Sequence, residues 1–473
     1  MKKIINKENV FYLAITFVSL FFSVAIFLDE NCPTFYRFLP LLPFSYSLIN
    51  LLSRRIYNGI FNIKENLAVL IIHLLYFVRQ SLAIYILMLG NYYSALNKLT
   101  EDNCTRAIFL MILDSVIVYI FLNNYKRIVI GNKRIFSVSL KKQKLGNRGS
   151  IATVITIAIS LFCIVTYMVS PLIKNSYSAI WNISLQVDNY FLMKNNYQGG
   201  SAERILFTLF TQVFDFARIF VPCWIMYFCR KKIGQKPICL IIAMLLCVFQ
   251  FSMILNENMY VLIVTFIFVL FVMRIFPKYA SGIKAVLIVG GATIVIAYFS
   301  MTMLVVASST SGMESVSTMF QEYFPGVSNI ACGFNIIDPN KMETLFYDIY
   351  ETIPYHNTLF GLDGVRLSDL YNTFNGVKYK ITPCLIQSYH YLGFFAPIIS
   401  CLFVKIALSS QYKVQYAEDI FSYCAYMLLF ILSAMTPICY YPTIFYSRYF
   451  STILPMIIIA RFSGSKYSID FTK

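Results

Sequence analysis

The chain has 473 residues, of which 58% are hydrophobic, 17% aromatic and only 13% charged, about half the charge of an ordinary soluble domain. A soluble fold of this length splits into domains joined by polar linkers, and the apolar runs that recur here from end to end exclude it. The net charge of +17 invites nucleic acid as a partner, but the basic residues cluster between alternate apolar runs, where anionic membrane lipids suffice to receive them, so no nucleic acid is expected.

The apolar runs are roughly 17–25 residues long, which suits helices and not barrel strands. The expected fold class is therefore all-α: a polytopic integral membrane protein of about 12 transmembrane helices, with residues 1–473 forming a single transmembrane domain. In chain order the runs predict helices at Val10–Leu28, Phe35–Leu52, Leu67–Gly90, Thr105–Leu122, Ile151–Pro171 and Ile205–Cys229. They continue at Ile238–Leu255, Met259–Phe276, Ala285–Ala307, Cys384–Leu408, Ile420–Tyr440 and Ile444–Ala460. The basic stretch Met1–Asn9 precedes a run too long for a signal-peptide core and without an A-x-A site, so the first helix is expected to be retained.

Charge sets the expected orientation. Segments assigned to the cytoplasm hold about 26 of the 39 Lys and Arg residues, and the outer segments about 11. The strongest inner cluster, Asn123–Ser150, carries Lys126, Arg127, Lys133, Arg134, Lys141, Lys142, Lys144 and Arg148. Both termini are thereby predicted to be cytoplasmic. Two outer segments are long. Residues 172–204 include Trp181 and Asp188, and residues 308–382, between the ninth and tenth helices, are rich in aromatic, acidic and glycine residues. Apolar side chains run through the second, so it is expected to be folded, with Lys341–Ile353 a short amphipathic helix lying on the membrane surface.

Ionisable residues inside spans are costly and mark function by default. Arg79 and His73 fall in the third helix, Asp114 in the fourth, Asp215 and Arg218 at i, i+3 in the sixth, and Arg448 near the start of the twelfth. Asp215 can pair with Arg218, and Arg79 with Asp114, as structural ion pairs. Alternatively these arginines line a polar cavity that grips an anion, since a guanidinium fork holds two phosphate oxygens at once. His73 fits a satisfied core residue better than a proton carrier. The 12 cysteines include no CxxC pair and no Cys/His cluster with zinc spacing, and no Asp-x-Asp is present, so neither metal nor cofactor is expected.

Three stretches of the 308–382 region and its continuation carry a pattern. The first reads Glu322-Tyr323-Phe324-Pro325-Gly326. The second reads Ile353-Pro354-Tyr355-His356-Asn357-Thr358-Leu359-Phe360-Gly361. The third, Gln387-Ser388-Tyr389-His390-Tyr391-Leu392-Gly393, opens the predicted tenth helix. Together they resemble the O-antigen polymerase (Wzy-type) family, in which E-Y-x-x-G, I-P-x-x-x-T-L-F-G and Q-x-Y-x-Y-x-G-like stretches punctuate the last large outer loop. The resemblance covers roughly residues 321–400 and the overall topology.

The resemblance implies a glycosyltransferase of the bacterial inner membrane. It would transfer a growing O-antigen or capsular glycan from undecaprenyl diphosphate onto a newly flipped lipid-linked unit. A chain-length regulator and a flippase are the further partners it implies. Such a transfer needs cations for the departing diphosphate and a base for the attacking hydroxyl. Arg79, Arg218, Arg366 and Arg448 are the candidate cations, and Arg204 either joins them or anchors its helix. Candidate bases are His356, Asp363, Glu322 and His390. Tyr323, Tyr389, Tyr391 and Gln387 are candidate sugar contacts, although tyrosines at a helix start also fit an interfacial aromatic belt. The His356-Asn357 pair also resembles the related O-antigen ligases. A lipid-linked oligosaccharide flippase explains the helices and buried charges as well, but not a loop as long as 308–382. A membrane-bound acyltransferase is disfavoured, since His73 has no motif around it.

Overall fold

The computed structural model describes residues 7–94, 96, 98–132, 150–177, 201–252, 258–285, 311–353, 364–377, 380, 382–415, 417, 419–439 and 442–462. Among these residues all regular structure is helical and no strand occurs. Among the described residues four helices, Lys7–Phe27, Glu65–Leu89, Glu101–Tyr125 and Ile205–Ile233, are long and apolar enough to cross a bilayer. The first, with 21 residues, spans about 32 Å, against a hydrocarbon core of about 30 Å. The chain is thus a membrane-embedded helical protein. It divides into two compact units: Met1–Leu140, Ile294–Gln415 and Leu429–Arg448 form one, and Lys141–Thr293, Tyr416–Leu428 and Tyr449–Lys473 the other.

In the first unit, α1 (Lys7–Phe27) packs along α2 (Leu41–Leu52). The second predicted helix begins late: the chain makes a short 3-10 turn at Thr34–Tyr36, and α2 starts only after Pro40. Pro43 then lies in the first turn, where a missing N–H breaks no helical bond. The third predicted span is continuous but mixed. α3 (Ile63–Phe77) passes through a π-turn, Val78–Leu82, into α4 (Ala83–Leu89). α5 (Glu101–Asn132) begins where the Thr100 hydroxyl accepts a hydrogen bond from the Asn103 amide at 3.2 Å.

The second unit contains α6 (Ser150–Val169), α7 (Pro171–Ser176), α8 (Ser201–Ile233), α9 (Ile238–Ser252) and α10 (Asn258–Ile275). Ser170 caps α7 by accepting from the Ile173 amide, with Pro171 at the first helical position. Glu203 on α8 accepts from the Ser170 hydroxyl at 3.0 Å, above an aromatic core of Tyr177, Phe207, Phe210 and Phe214.

The ninth predicted helix lies, beyond Ala285, outside the described residues, as does most of segment 172–204. The described residues of segment 308–382 are largely helical: α11 (Ser311–Tyr323), α12 (Val327–Gly333), α13 (Lys341–Tyr350) and α14 (Leu367–Asn375). α13 occupies the stretch expected to form an amphipathic helix. The tenth predicted helix is not one helix. α15 (Cys384–Leu392) and α16 (Pro397–Gln415) are bent by 116° across Gly393–Phe395. Gly393 has φ +57° and ψ −134°, a conformation that only glycine adopts readily, and Pro397 restarts the helix. α17 (Ile420–Met435) follows. α18 (Pro442–Arg448), a second π-turn at Tyr449–Ile453 and α19 (Leu454–Phe462) then make one continuous stretch, as the twelfth prediction expects.

α4 packs on α11 through Gly90, which follows α4 directly. A Cβ there would sit 2.7 Å from the Ser317 Cβ and 3.0 Å from the Met313 carbonyl oxygen. Gly90→Val should therefore destabilise the protein by about 1–3 kcal/mol through overpacking. A thermal melt of the detergent-purified chain reads this, and an unchanged midpoint would mean the two helices part without cost.

Candidate functional site

Two buried polar arrangements lie inside the spans of the first unit. In one, Arg79 and Asp114 pair at 2.5 Å, both almost completely enclosed. Tyr76 donates to the same carboxylate oxygen at 2.8 Å, and Arg79 reaches the Pro437 carbonyl at 3.4 Å. Among the described residues, Arg79 Nε, Asp114 Oδ1 and the nearby Gln80 Oε1 have no hydrogen-bond partner. Arg79 sits on the π-turn, an irregularity often found where a helix has a task. In the other, His73 is fully enclosed and bonded to Tyr46 and Tyr119 through Nδ1 and to Tyr57 through Nε2. Tyr57 donates in turn to Asn50, and Asn50 to Thr16 at 2.8 Å. His73 is thus a satisfied core residue.

In the second unit Asp215 and Arg218 approach at 3.8 Å on α8. Gln250 on α9 adds bonds in both directions: Arg218 donates to its side-chain and main-chain oxygens, each at 3.2 Å, and Gln250 Nε2 donates to the Arg218 carbonyl at 2.5 Å. Such pairing offsets much of the cost of burying an ion.

A further polar cluster forms around α15. Gln387, His390 and Tyr391 stand at i, i+3 and i+4 and so share one helix face. Two of them converge on a single buried carboxylate. Asp348 on α13 accepts from Gln387 Nε2 and from the Tyr391 hydroxyl, each at 2.9 Å, and its other oxygen accepts from the Leu367 amide at 3.2 Å. The third, His390, bonds through Nε2 to Asp338 at 2.9 Å. Leu367 opens α14, and the preceding Arg366 is gripped at 2.7 Å by Glu351 and at 2.7 and 2.8 Å by Asp369. The helix start at Cys384 lies in electrostatic reach of Arg79 and Asp114. From there to Tyr391 α15 rises about 10 Å, linking the buried ion pair to the carboxylate cluster.

The sequence-derived residues distribute unevenly over this geometry. Gln387, Tyr391 and His390 are brought together by Asp348 and Asp338. Tyr389 points elsewhere, stacking edge-on against Phe334 and Phe394. Arg366 is occupied by two carboxylates, which a diphosphate would have to displace. Glu322 and Tyr323 end α11, with Tyr323 exposed. Arg448 ends α18, half-buried. His356 and Asp363 lie outside the described residues. Asp338 and Asp348 were not singled out in the sequence; the one available signal was three hydrogen-bonding side chains on a single face of α15, which require partners once buried.

Among the described residues no three His, Cys, Asp or Glu side chains converge as a metal site. What the α15 cluster offers is acid–base chemistry. A carboxylate bonded to one imidazole nitrogen fixes the ring and its tautomer, so that the other nitrogen can accept a proton. Comparison with protein-family models, curated proteins and solved structures finds no match to this chain.

Burial pushes the Asp338 carboxyl up, but hydrogen bonds from His390, Thr344 and the Asn340 amide outweigh it and hold the group below the usual carboxylate range. A depressed folded-state value stabilises the protein above the unfolded value, and that contribution disappears as pH falls through the folded one. Asp338→Asn should therefore melt below wild type when pH exceeds about 4, the two midpoints converging in stronger acid. Parallel melting curves across the whole range would show that Asp338 is not held in this way.

Proposed function

We propose that this chain is a membrane glycosyltransferase that polymerises oligosaccharide repeat units carried on undecaprenyl diphosphate. The observation that carries the reading is that the residues just after the first motif stretch and those just before the third, far apart in sequence, pack into one core. Val327, Ile330 and Ala331, which follow the Glu322–Gly326 stretch, share a cluster with Leu385 and Ile386, which lead into Gln387. Tyr371 ties this core to α14 by donating to the Asn329 carbonyl at 2.9 Å. A flippase or transporter has no need of such a folded segment between spans, whereas a transferase needs one to align two sugars.

In this reading about 12 helices span the bacterial inner membrane with both termini in the cytoplasm, and residues 308–382 face outward. The acceptor hydroxyl attacks the anomeric carbon of the donor glycan. The bond from that carbon to the diphosphate oxygen breaks, and undecaprenyl diphosphate departs carrying the electron pair. The hydroxyl proton passes to a base. His356, Asp363, Glu322 and His390 are the candidates, and of the described side chains His390 has the carboxylate partner that this role calls for. Of the candidate cations for the leaving group, Arg79 and Arg366 each already face a carboxylate that a diphosphate would have to displace, as does Arg218 in the other unit, and Arg448 ends α18.

Deleting the gene should leave single repeat units on the surface glycan and abolish the ladder of longer chains on a gel. Loss of single units as well would replace this reading by a flippase. His390→Ala, expressed at the wild-type level in the membrane, should lower polymerisation by about 100-fold or more. A full ladder from that variant would remove His390 from the chemistry.

A further inference from the structure

Within segment 308–382, α13 has the polarity of a membrane span and not of a water-exposed helix. On α13 the polar residues Thr344 and Asp348 are buried, and Asp348 takes its three hydrogen bonds there. Apart from Lys341 and Glu343, the exposed side chains of this helix are apolar, while Tyr350 is turned inward. Met342 is 77% exposed and Phe346 63%, with Ile349 completing a stripe at i, i+4 and i+7, and Ile353, just past the helix end, is exposed as well. A helix lying against water turns such a stripe inward; this one turns it outward, as the spans do around Arg79, Asp114 and His73.

The apolar exposure continues beyond α13. Ile337 is exposed beside Asp338, the partner of His390 on α15. Just past that histidine, Leu392, Phe394 (73%) and Phe395 (70%) are exposed at the bend, and Ile398 and Leu402 carry the row onto α16. α1 shows the same pattern, exposing Phe17, Phe21, Val24 and Phe27. An outward row of this kind on a membrane span meets acyl chains. The exposed Lys341 and Glu343 flank the α13 stripe at its start, where lipid headgroups take charge readily.

We infer that α13 and the Gly393–Phe395 bend are seated in the headgroup–acyl boundary of the bilayer. There Met342, Phe346, Ile349, Phe394 and Phe395 lie against lipid. The inverted helix thereby holds the Asp348 and Asp338–His390 cluster at the height of the lipid headgroups. The inference rests on the membrane-embedded fold alone, so it stands or falls separately from the catalytic reading.

The test uses the full chain with its two tryptophans replaced, Trp181→Phe and Trp224→Phe, and with either Phe346→Trp or Ile349→Trp added. Each protein is reconstituted into phosphatidylethanolamine–phosphatidylglycerol vesicles whose acyl chains are brominated near the headgroup or near the chain end. Tryptophan emission at both positions should fall roughly twofold or more with shallow bromine and less with deep bromine, as for a helix buried about 5–10 Å into the boundary. Emission that neither lipid quenches in both variants overturns the inference, whether the tryptophans then face water or a second copy. Stronger quenching by deep bromine also overturns it, since α13 would then be a submerged segment.

Discussion

A bilayer interior offers no water to a stranded polar group, so each such group must find its answer inside the protein. The pairing of Arg79 with Asp114 is the clearest case. Neither side chain reaches solvent, and either one left alone would carry a cost of several kcal/mol. Around that pair the rest of the first unit is arranged with its polar chemistry inward: Tyr76 on the same carboxylate, His73 among three tyrosines, and Asn50 bridging to Thr16. The second unit solves the same problem with Asp215, Arg218 and Gln250.

The same constraint explains how the α15 cluster is held. A carboxylate removed from water needs several donors, and Asp348 has a side-chain amide, a phenol and a backbone amide. Those donors come from two separate elements, so Asp348 joins α13, α14 and α15 as one body. Arg366 repeats the arrangement with charges reversed, one guanidinium between two carboxylates. Rigid placement of this kind suits a site in which proton transfer depends on sub-ångström geometry.

Much of the helical architecture was legible in the sequence, because a membrane span announces itself through length and composition alone. The runs at Val10, Thr105 and Ile205 needed no knowledge of their neighbours, and the amphipathic pattern from Lys341 onward gave α13. The break in the predicted tenth helix was missed although its marks were present: Gly393 and Pro397 stand where a helix ends and restarts, but apolar residues on both sides merge into one run. Asp338 and Asp348 were illegible for a different reason. Their importance comes from residues some forty or fifty positions away, and no local spacing reports a partner across space. His390 was visible as a histidine near a helix start, and only the fold gives it a carboxylate.

The π-turn at Val78–Leu82 fixes the length of its span as well as its shape. Such a turn accommodates one residue more than α-helical winding would, and each residue of an α-helix turns the chain by about 100°. Residues below it, such as His73 and Tyr76, and those above it, such as Ile84 and Leu87, are therefore phased to different neighbours by that single surplus residue. Related chains that lack it would have to rewind the upper half and lose the contact of Leu87 with the cluster that holds Val327 and Leu385. The number of residues in this helix thus decides which neighbours its upper half meets, as much as the side chains themselves do.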